Sequence, residues 1–252
     1  NPWKILKNKG LTNPSNVVLY STIMKTLVKV IIVATLCCGG GFYAYTSANA
    51  VELDGDVGTS FSDVRSFRGV KQSDDTVNAS VDVGTAVSDQ FNVGLGIDSF
   101  STLEEGQTDE LRTNLSVGYG INDLLSVSLG YIDYSYQGSA DADEVVLGIA
   151  LETLLNPGLR YYTDSDNDVD TLEVSVGHGL ELTDTFGLNL SGILGNSEEV
   201  TGDDRTYYSV GGRVVYTGFE SVDSFVGVSV FDNDNAGSDL DTSFTVGLSL
   251  KF

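Results

Sequence analysis

His178 is the sole histidine of the chain, and histidine is the side chain most readily recruited as a general base near neutral pH. A hydrolase built on it needs a serine and a carboxylate or amide held around the ring. Its neighbours Gly177, Gly179 and Leu180 supply neither in sequence. In step with Leu172, Val174 and Val176, it falls on an apolar face near the end of its segment, the place of an interfacial polar tip. The run Asp164-Ser165-Asp166-Asn167-Asp168 starts like a calcium loop, but Val169 and Ser175 stand where an EF-hand needs glycine and the closing glutamate. It reads as a solvated acidic loop. No metal site, catalytic residue or cofactor is expected. Six charged residues remain that could act on a passing solute: Asp82, Asp98, Arg112, Arg160, Glu173 and Arg213. Opposed charges around a narrow aqueous passage create a transverse field that sorts solutes by charge. They do so only where the elements carrying them enclose one lumen.

Those elements are legible as a period of two. Val77, Ala79, Val81 and Val83 alternate with Asn78, Ser80, Asp82 and Gly84, the pattern of a strand with one apolar face. Phe91 to Ile97, Leu111 to Tyr119, Leu125 to Tyr131, Val145 to Leu151, Leu172 to Val176, Phe186 to Leu190, Tyr208 to Tyr216, Val226 to Val230 and Phe244 to Phe252 repeat it. With two less regular segments, 51–66 and 155–163, the count comes to about twelve strands.

The second face is polar and small, as in Asn92, Gly94, Gly96 and Asp98 or Ser243, Thr245, Gly247 and Ser249. A soluble sandwich turns its apolar faces inward; an outer-membrane barrel turns them to lipid and lines its lumen with the polar set. Periodicity alone does not choose between them. Tight connections are expected near Ser88-Asp89-Gln90, Asn122-Asp123, Pro157-Gly158, Thr183-Asp184-Thr185 and Gly218. Longer acidic ones are expected at 68–75, 101–109, 137–143, 164–169, 196–204 and 232–240. Alternation of short and long connections, and strands of roughly nine to twelve residues, are marks of a membrane-spanning barrel. The expected fold is all-β: a transmembrane, antiparallel, up-and-down barrel over residues 51–252.

The chain has 252 residues and a net charge of −23, very unevenly spread. Residues 1–50 hold five lysines and no acid, so the remainder carries eight basic against 36 acidic residues, a formal charge of −28. That excess argues against nucleic-acid binding, which needs a basic face. Both cysteines, Cys37 and Cys38, lie in the first segment, so no disulfide framework is expected in the rest. From Met24 the chain reads as a signal peptide, with Lys25 and Lys29, the apolar run Val30 to Cys38, and Ala48-Asn49-Ala50 as the cleavage pattern. The apolar run is well short of the ~20 residues of a spanning helix. Residues 24–50 are therefore expected to be removed after export. Residues 1–23 are expected to be upstream sequence from a misassigned start, foreign to the fold.

Two further segments carry a resemblance. The final strand closes in Phe252 and resembles the C-terminal signal by which the barrel-assembly machinery recognises outer-membrane proteins. Ser62-Asp63, then Phe67-Arg68-Gly69-Val70-Lys71-Gln72-Ser73-Asp74, resembles the motif near the mature N-terminus of the Gcw_chp, or TorF, family of porins. The match rests on Phe67, Arg68, Gly69, Gln72, Ser73 and Asp74. Val64 stands where the family has an aromatic residue, and Asp75-Thr76-Val77-Asn78 replaces its usual continuation. The resemblance implies a bacterial outer-membrane channel in which this motif closes the first strand and enters the first outer loop.

The function expected is a porin-like passive channel for small solutes or ions, with modest cation preference from its acidic rims. Many lumen glycines and serines would leave the interior roomy. Arg65, Arg68 and Lys71 would form a local anion site if the first loop folds inward. The expected surroundings are outer-membrane lipid and lipopolysaccharide. A structural or surface-interaction barrel with a closed lumen is the alternative; a lipid-modifying barrel enzyme is a weaker one, resting on His178.

Overall fold

The computed structural model describes residues 53–103, 109–137, 140–199, 204–235 and 239–252. The expected upstream segment 1–23 and signal peptide 24–50 lie outside the described residues. Beyond them, alternating Val, Leu, Ile, Phe and Tyr against small polar residues makes the chain fold as strands, because β-branched and aromatic side chains suit a pleated surface. They are β1 (Asp54–Phe67), β2 (Val70–Ala86), β3 (Phe91–Thr102), β4 (Glu110–Asn122), β5 (Leu125–Tyr136) and β6 (Ala142–Leu151). The second half holds β7 (Gly158–Asp164), β8 (Val169–Thr183), β9 (Phe186–Glu199), β10 (Arg205–Phe219), β11 (Val222–Asn233) and β12 (Asp241–Lys251).

Each strand pairs antiparallel with its sequence neighbours, and β1 pairs with β12 from Asp56↔Lys251 to Ser62↔Thr245, closing the barrel. Along that ladder closure leaves no free sheet edge. The last residue takes part: Phe252 N–H donates to the Gly55 carbonyl at 2.9 Å, and Gly55 N–H returns the bond at 3.1 Å. The tight turns have a local chemical cause. The Asn122 side-chain oxygen accepts from the backbone N–H of Leu124 and Leu125 at 2.9 and 3.0 Å. The Thr183 hydroxyl does the same for Phe186 at 3.0 Å, as expected of Asx and Ser/Thr turns.

The apolar set faces outward. Val57, Leu115, Leu147, Val174, Val210 and Leu248 are all exposed, and a contiguous apolar surface around a closed barrel is the lipid-facing band of a transmembrane protein. Aromatic rings gather toward the short-turn end: Phe91 and Tyr119 lie 5.2 Å apart, and Phe186 and Tyr216 5.0 Å apart. Exposed Tyr131, Tyr161, Tyr208 and Phe244 mark the other end of the band. Rings at both rims suit the two membrane interfaces.

Three expectations are corrected. Residues 68–75 are no long loop: β1 and β2 join through Arg68-Gly69 alone, with φ of 49° and 70°, the backbone of a type I′ hairpin turn. The connection at Pro157-Gly158 is not tight; it spans 152–157, because β7 starts only at Gly158 and β6 ends at Leu151. Strand length ranges more widely than expected, from 7 residues in β7 to 17 in β2.

Candidate functional site

The two ends of the lumen differ in kind. Toward the short-turn end, small residues leave room. A cavity of about 520 Å³ is lined by Asp54, Asp56, Asp82, Asn114 and Ser116 among others. Another of about 440 Å³ reaches Asn78, Ser80, Asn189, Arg213 and Asp223. Both signs of charge line this inner half, and Lys251 on β12 stands directly opposite Asp56 in register. Asp56 and Asp82 are direct cross-strand partners on β1 and β2, and Asp98 on β3 accepts from the Asn78 amide at 3.3 Å. On other strands of the ring, the Arg213 guanidinium lies 4.7 Å from the Phe225 ring centre, and Lys251 pairs with Asp223 at 2.5 Å.

The outer half is filled. β1 pairs with β12 only as far as Ser62, and β2 pairs with β3 only from Thr76 onward. Beyond those points the ladder of the first hairpin is internal, ending at Phe67↔Val70, with a bulge between Arg65 and Ser66. Asp75 also has a positive φ, 41°. Freed from the wall, the hairpin tip lies across the lumen. Arg68 at its turn reaches β6, on the far side of the ring: its Nη1 meets Glu144 Oε1 at 2.7 Å and its Nη2 donates to Oε2 at 2.9 Å. The Asn233 amide on β11 donates to the Gly69 carbonyl at 2.7 Å.

The wall carries three carboxylates around the hairpin tip, each held by two residues, and two of them, Glu110 and Glu144, meet the hairpin's arginines. Glu110 on β4 takes Arg65 at 2.7 Å and Arg112 at 2.9 Å. Glu144 takes Arg68 and the Tyr134 hydroxyl at 2.8 Å. Glu173 on β8 takes the hydroxyls of Tyr162 and Tyr207 at 2.8 and 2.6 Å. Aromatic faces cover the guanidinium groups: Arg65 lies 3.9 Å from the Phe100 ring centre, and Arg68 4.7 and 4.8 Å from those of Phe67 and Tyr162. Such stacking favours a desolvated cation. Tyr207 and Phe231, 2% and 1% exposed, belong to this plug. Above it, a cavity of about 740 Å³ is lined by Arg65, Arg68, Glu110, Tyr134, Glu144 and Arg205 among others.

The six charged residues expected in the lumen alternate with exposed apolar residues, but they do not form one constriction. Arg112 and Glu173 belong to the outer cluster, and Arg160 stands directly opposite Glu173 in register. Asp82 and Arg213 line the inner cavities, and Asp98 pairs in register with Arg112. The expected anion site does not form. Arg65 and Arg68 fold inward onto Glu110 and Glu144, and Lys71 pairs with Asp74 at 2.6 Å. Glu110, Glu144, Tyr134, Tyr162 and Tyr207 were absent from the expected set. Their signal is bulk on the small-residue face: Tyr134 follows Ser126, Ser128 and Gly130 in the alternation of β5, and Tyr207 precedes Ser209 and Gly211 in that of β10.

The other chemical candidates take structural places. His178 Nδ1 lies 2.6 Å from the Leu154 carbonyl, so a proton there ties the 152–157 connection to β8. Asp164 Oδ1 accepts from the backbone N–H of Asp166 and Asn167, both at 3.0 Å, and shapes the β7–β8 turn. In that turn, beyond the spanning strands, the Asp166 carboxyl is pushed above the ordinary carboxylate range, first by the charge of Asp143.

No family profile and no curated protein sequence matches the chain. Solved structures do. A KdgM porin superposes with a TM-score of 0.52 at 13% identity, covering 79% of this chain and 99% of that one. A NanC porin gives 0.50 at 12%, covering 80% and 100%. LpxR from Salmonella typhimurium gives 0.51 at 8%, covering 78% and 100%. The likeness is one of fold, that of porin-like outer-membrane barrels.

Proposed function

We propose that this protein is a passive, porin-like channel of the bacterial outer membrane, exported by its signal peptide, for small solutes or ions. The observation that carries the reading is a charged, polar lumen inside a lipid-facing closed barrel, crossed by its own first hairpin. Asp54, Asp56 and Asp82 outnumber Lys251 in the lining of the inner cavity and support modest cation preference, because a net negative lining raises the local concentration of cations. Asp82, Asp98, Arg112, Arg160, Glu173 and Arg213 are proposed as pore-lining residues. The motif from Ser62 to Asp74 supports membership of the TorF-type porins, and it is the segment that builds the hairpin. The exposed apolar band fits outer-membrane lipid and lipopolysaccharide, and the closing strand with Phe252 fits recognition by the assembly machinery. His178, bonded to a backbone carbonyl, supports a channel over an enzyme.

A closed-lumen barrel is the second reading, favoured by one feature: the Arg68–Glu144 contact spans the passage. Single-channel recording in planar bilayers separates the two. The barrel is purified from membranes of cells expressing the full chain. Stable conductance steps with a reversal potential favouring cations support the channel. Folded protein that gives no steps, in wild type and in Arg68→Ala alike, rejects it in favour of a structural barrel.

A further inference from the structure

The hairpin seats its arginines in pockets whose chemistry is not specific to a tethered side chain. Glu144 presents both carboxylate oxygens to a guanidinium, the Tyr134 hydroxyl steadies Oε2, and the Tyr162 ring stands 4.8 Å from the bound cation. A fork of two acceptors beside an aromatic face recognises any guanidinium or ammonium group. The 740 Å³ outer cavity is lined by Arg68, Glu144 and Tyr134, so it borders both partners of the ion pair. The formal charge of −28 beyond residue 50 concentrates cations around the barrel. Beyond Ser62 and Thr76 the hairpin's strand ladder is internal, so side chains hold its tip to the wall: Arg65 on Glu110, Arg68 on Glu144, the Asn233 amide on the Gly69 carbonyl and the Ser243 hydroxyl on the Val64 carbonyl.

We propose that the Glu144 socket, with Tyr134 and Tyr162, is a binding subsite for a guanidinium- or ammonium-bearing solute, for which Arg68 of the hairpin is the built-in competitor. A free cation that takes the socket releases the hairpin from the lumen, so the solute clears its own path. Only the passage of solute after binding rests on the channel reading; the competition itself is read without current.

The probe is agmatine, a small guanidinium amine. Ser73, 5% exposed in the seated hairpin, is replaced in Ser73→Cys, and its reaction with a maleimide is followed at residue 73 by mass spectrometry. Agmatine is expected to speed labelling about fivefold over potassium chloride of equal ionic strength, a modest population shift for a ligand favouring one state. Adding Glu144→Gln should raise the basal labelling rate, because it loosens the hairpin, and abolish any further rise with agmatine. Equal rates in agmatine and potassium chloride overturn the proposal. Should Glu144→Gln fail to fold, calorimetry of agmatine with Arg68→Ala replaces it: removing the competitor must tighten binding, and unchanged affinity overturns the proposal. Channel steps without any agmatine effect would sink this inference and leave the channel standing. An agmatine response in a barrel that never conducts would keep the subsite and sink the channel.

Discussion

Arg68, at the tip of the first hairpin, and Glu144, on the sixth strand of a twelve-strand ring, meet across the lumen through two contacts of 2.7 and 2.9 Å. Their side chains are 9% and 3% exposed, so both charges are largely out of water. Breaking such a buried pair from one side costs about 3–5 kcal/mol if the remaining charge stays buried. Here it need not stay, because the hairpin can leave and rehydrate Arg68. The cost to the barrel is therefore capped by the cost of unseating the hairpin. Arg68→Ala and Glu144→Gln should each raise single-channel conductance while leaving the barrel folded. Unaltered conductance in both, in a conducting wild type, would show that the hairpin does not limit flow.

Gly69 is required twice over. Its φ is +70°, and an added Cβ would stand 2.5 Å from Tyr207 Cβ and 2.7 Å from the Asp232 carbonyl oxygen. The backbone term alone costs about 1–2 kcal/mol for an L-residue, and the steric term adds to it. Gly69→Ala should unseat the hairpin as Arg68→Ala does, with similar conductance. Wild-type conductance in Gly69→Ala would mean that the tip tolerates a shift of its seat.

Tyr207 anchors Glu173 beneath that seat, with its hydroxyl 2.6 Å from Oε1. Tyr207→Phe removes the donor and leaves a carboxylate oxygen short of a partner, a loss of about 1–3 kcal/mol. Tyr208→Phe, on the exposed side of the same strand, should cost little. The check is the midpoint of heat-induced unfolding followed by gel mobility; equal midpoints for the two variants would refute the anchoring role.

Among the described residues of the outer turns, Asp166 adds a pH dependence. Its carboxyl is raised chiefly by Asp143, so the folded state holds the proton more tightly than the unfolded one. The associated penalty is absent at pH values below the ordinary carboxylate range and develops as pH rises through the raised value. Asp166→Asn should raise the unfolding midpoint at neutral pH, with the advantage fading as pH falls into the carboxylate range. An advantage that persists in acid would point to a cause other than charge.

His178 should prove structural. His178→Ala removes the side chain that meets the Leu154 carbonyl at 2.6 Å, a loss of about 1 kcal/mol for an ordinary hydrogen bond. Conductance should be unchanged. Abolition of a lipid-hydrolysing activity by this substitution would instead favour the enzyme reading.

Periodicity in the sequence determined the wall. Alternation such as Leu111, Thr113, Leu115, Val117 fixes which side chains share a face, because the strand repeat is two whatever the fold. Turn residues such as Asn122 and Thr183 carried their mechanism locally. Strand number, antiparallel order and the lipid-facing band came from those two features. The contents of the lumen did not. Val70 to Asp75 alternates too weakly to separate strand from loop, and only the loss of partners beyond Ser62 and Thr76 lets the hairpin leave the wall. The pairing of Arg65 with Glu110 and of Arg68 with Glu144 joins residues 45 and 76 positions apart. No local rule brings such residues together; it takes the curvature of a closed ring, which sets β6 across from β1. Sequence alone therefore determined a barrel with polar contents, and tertiary structure decided that its outer half is occupied by the chain's own arginines.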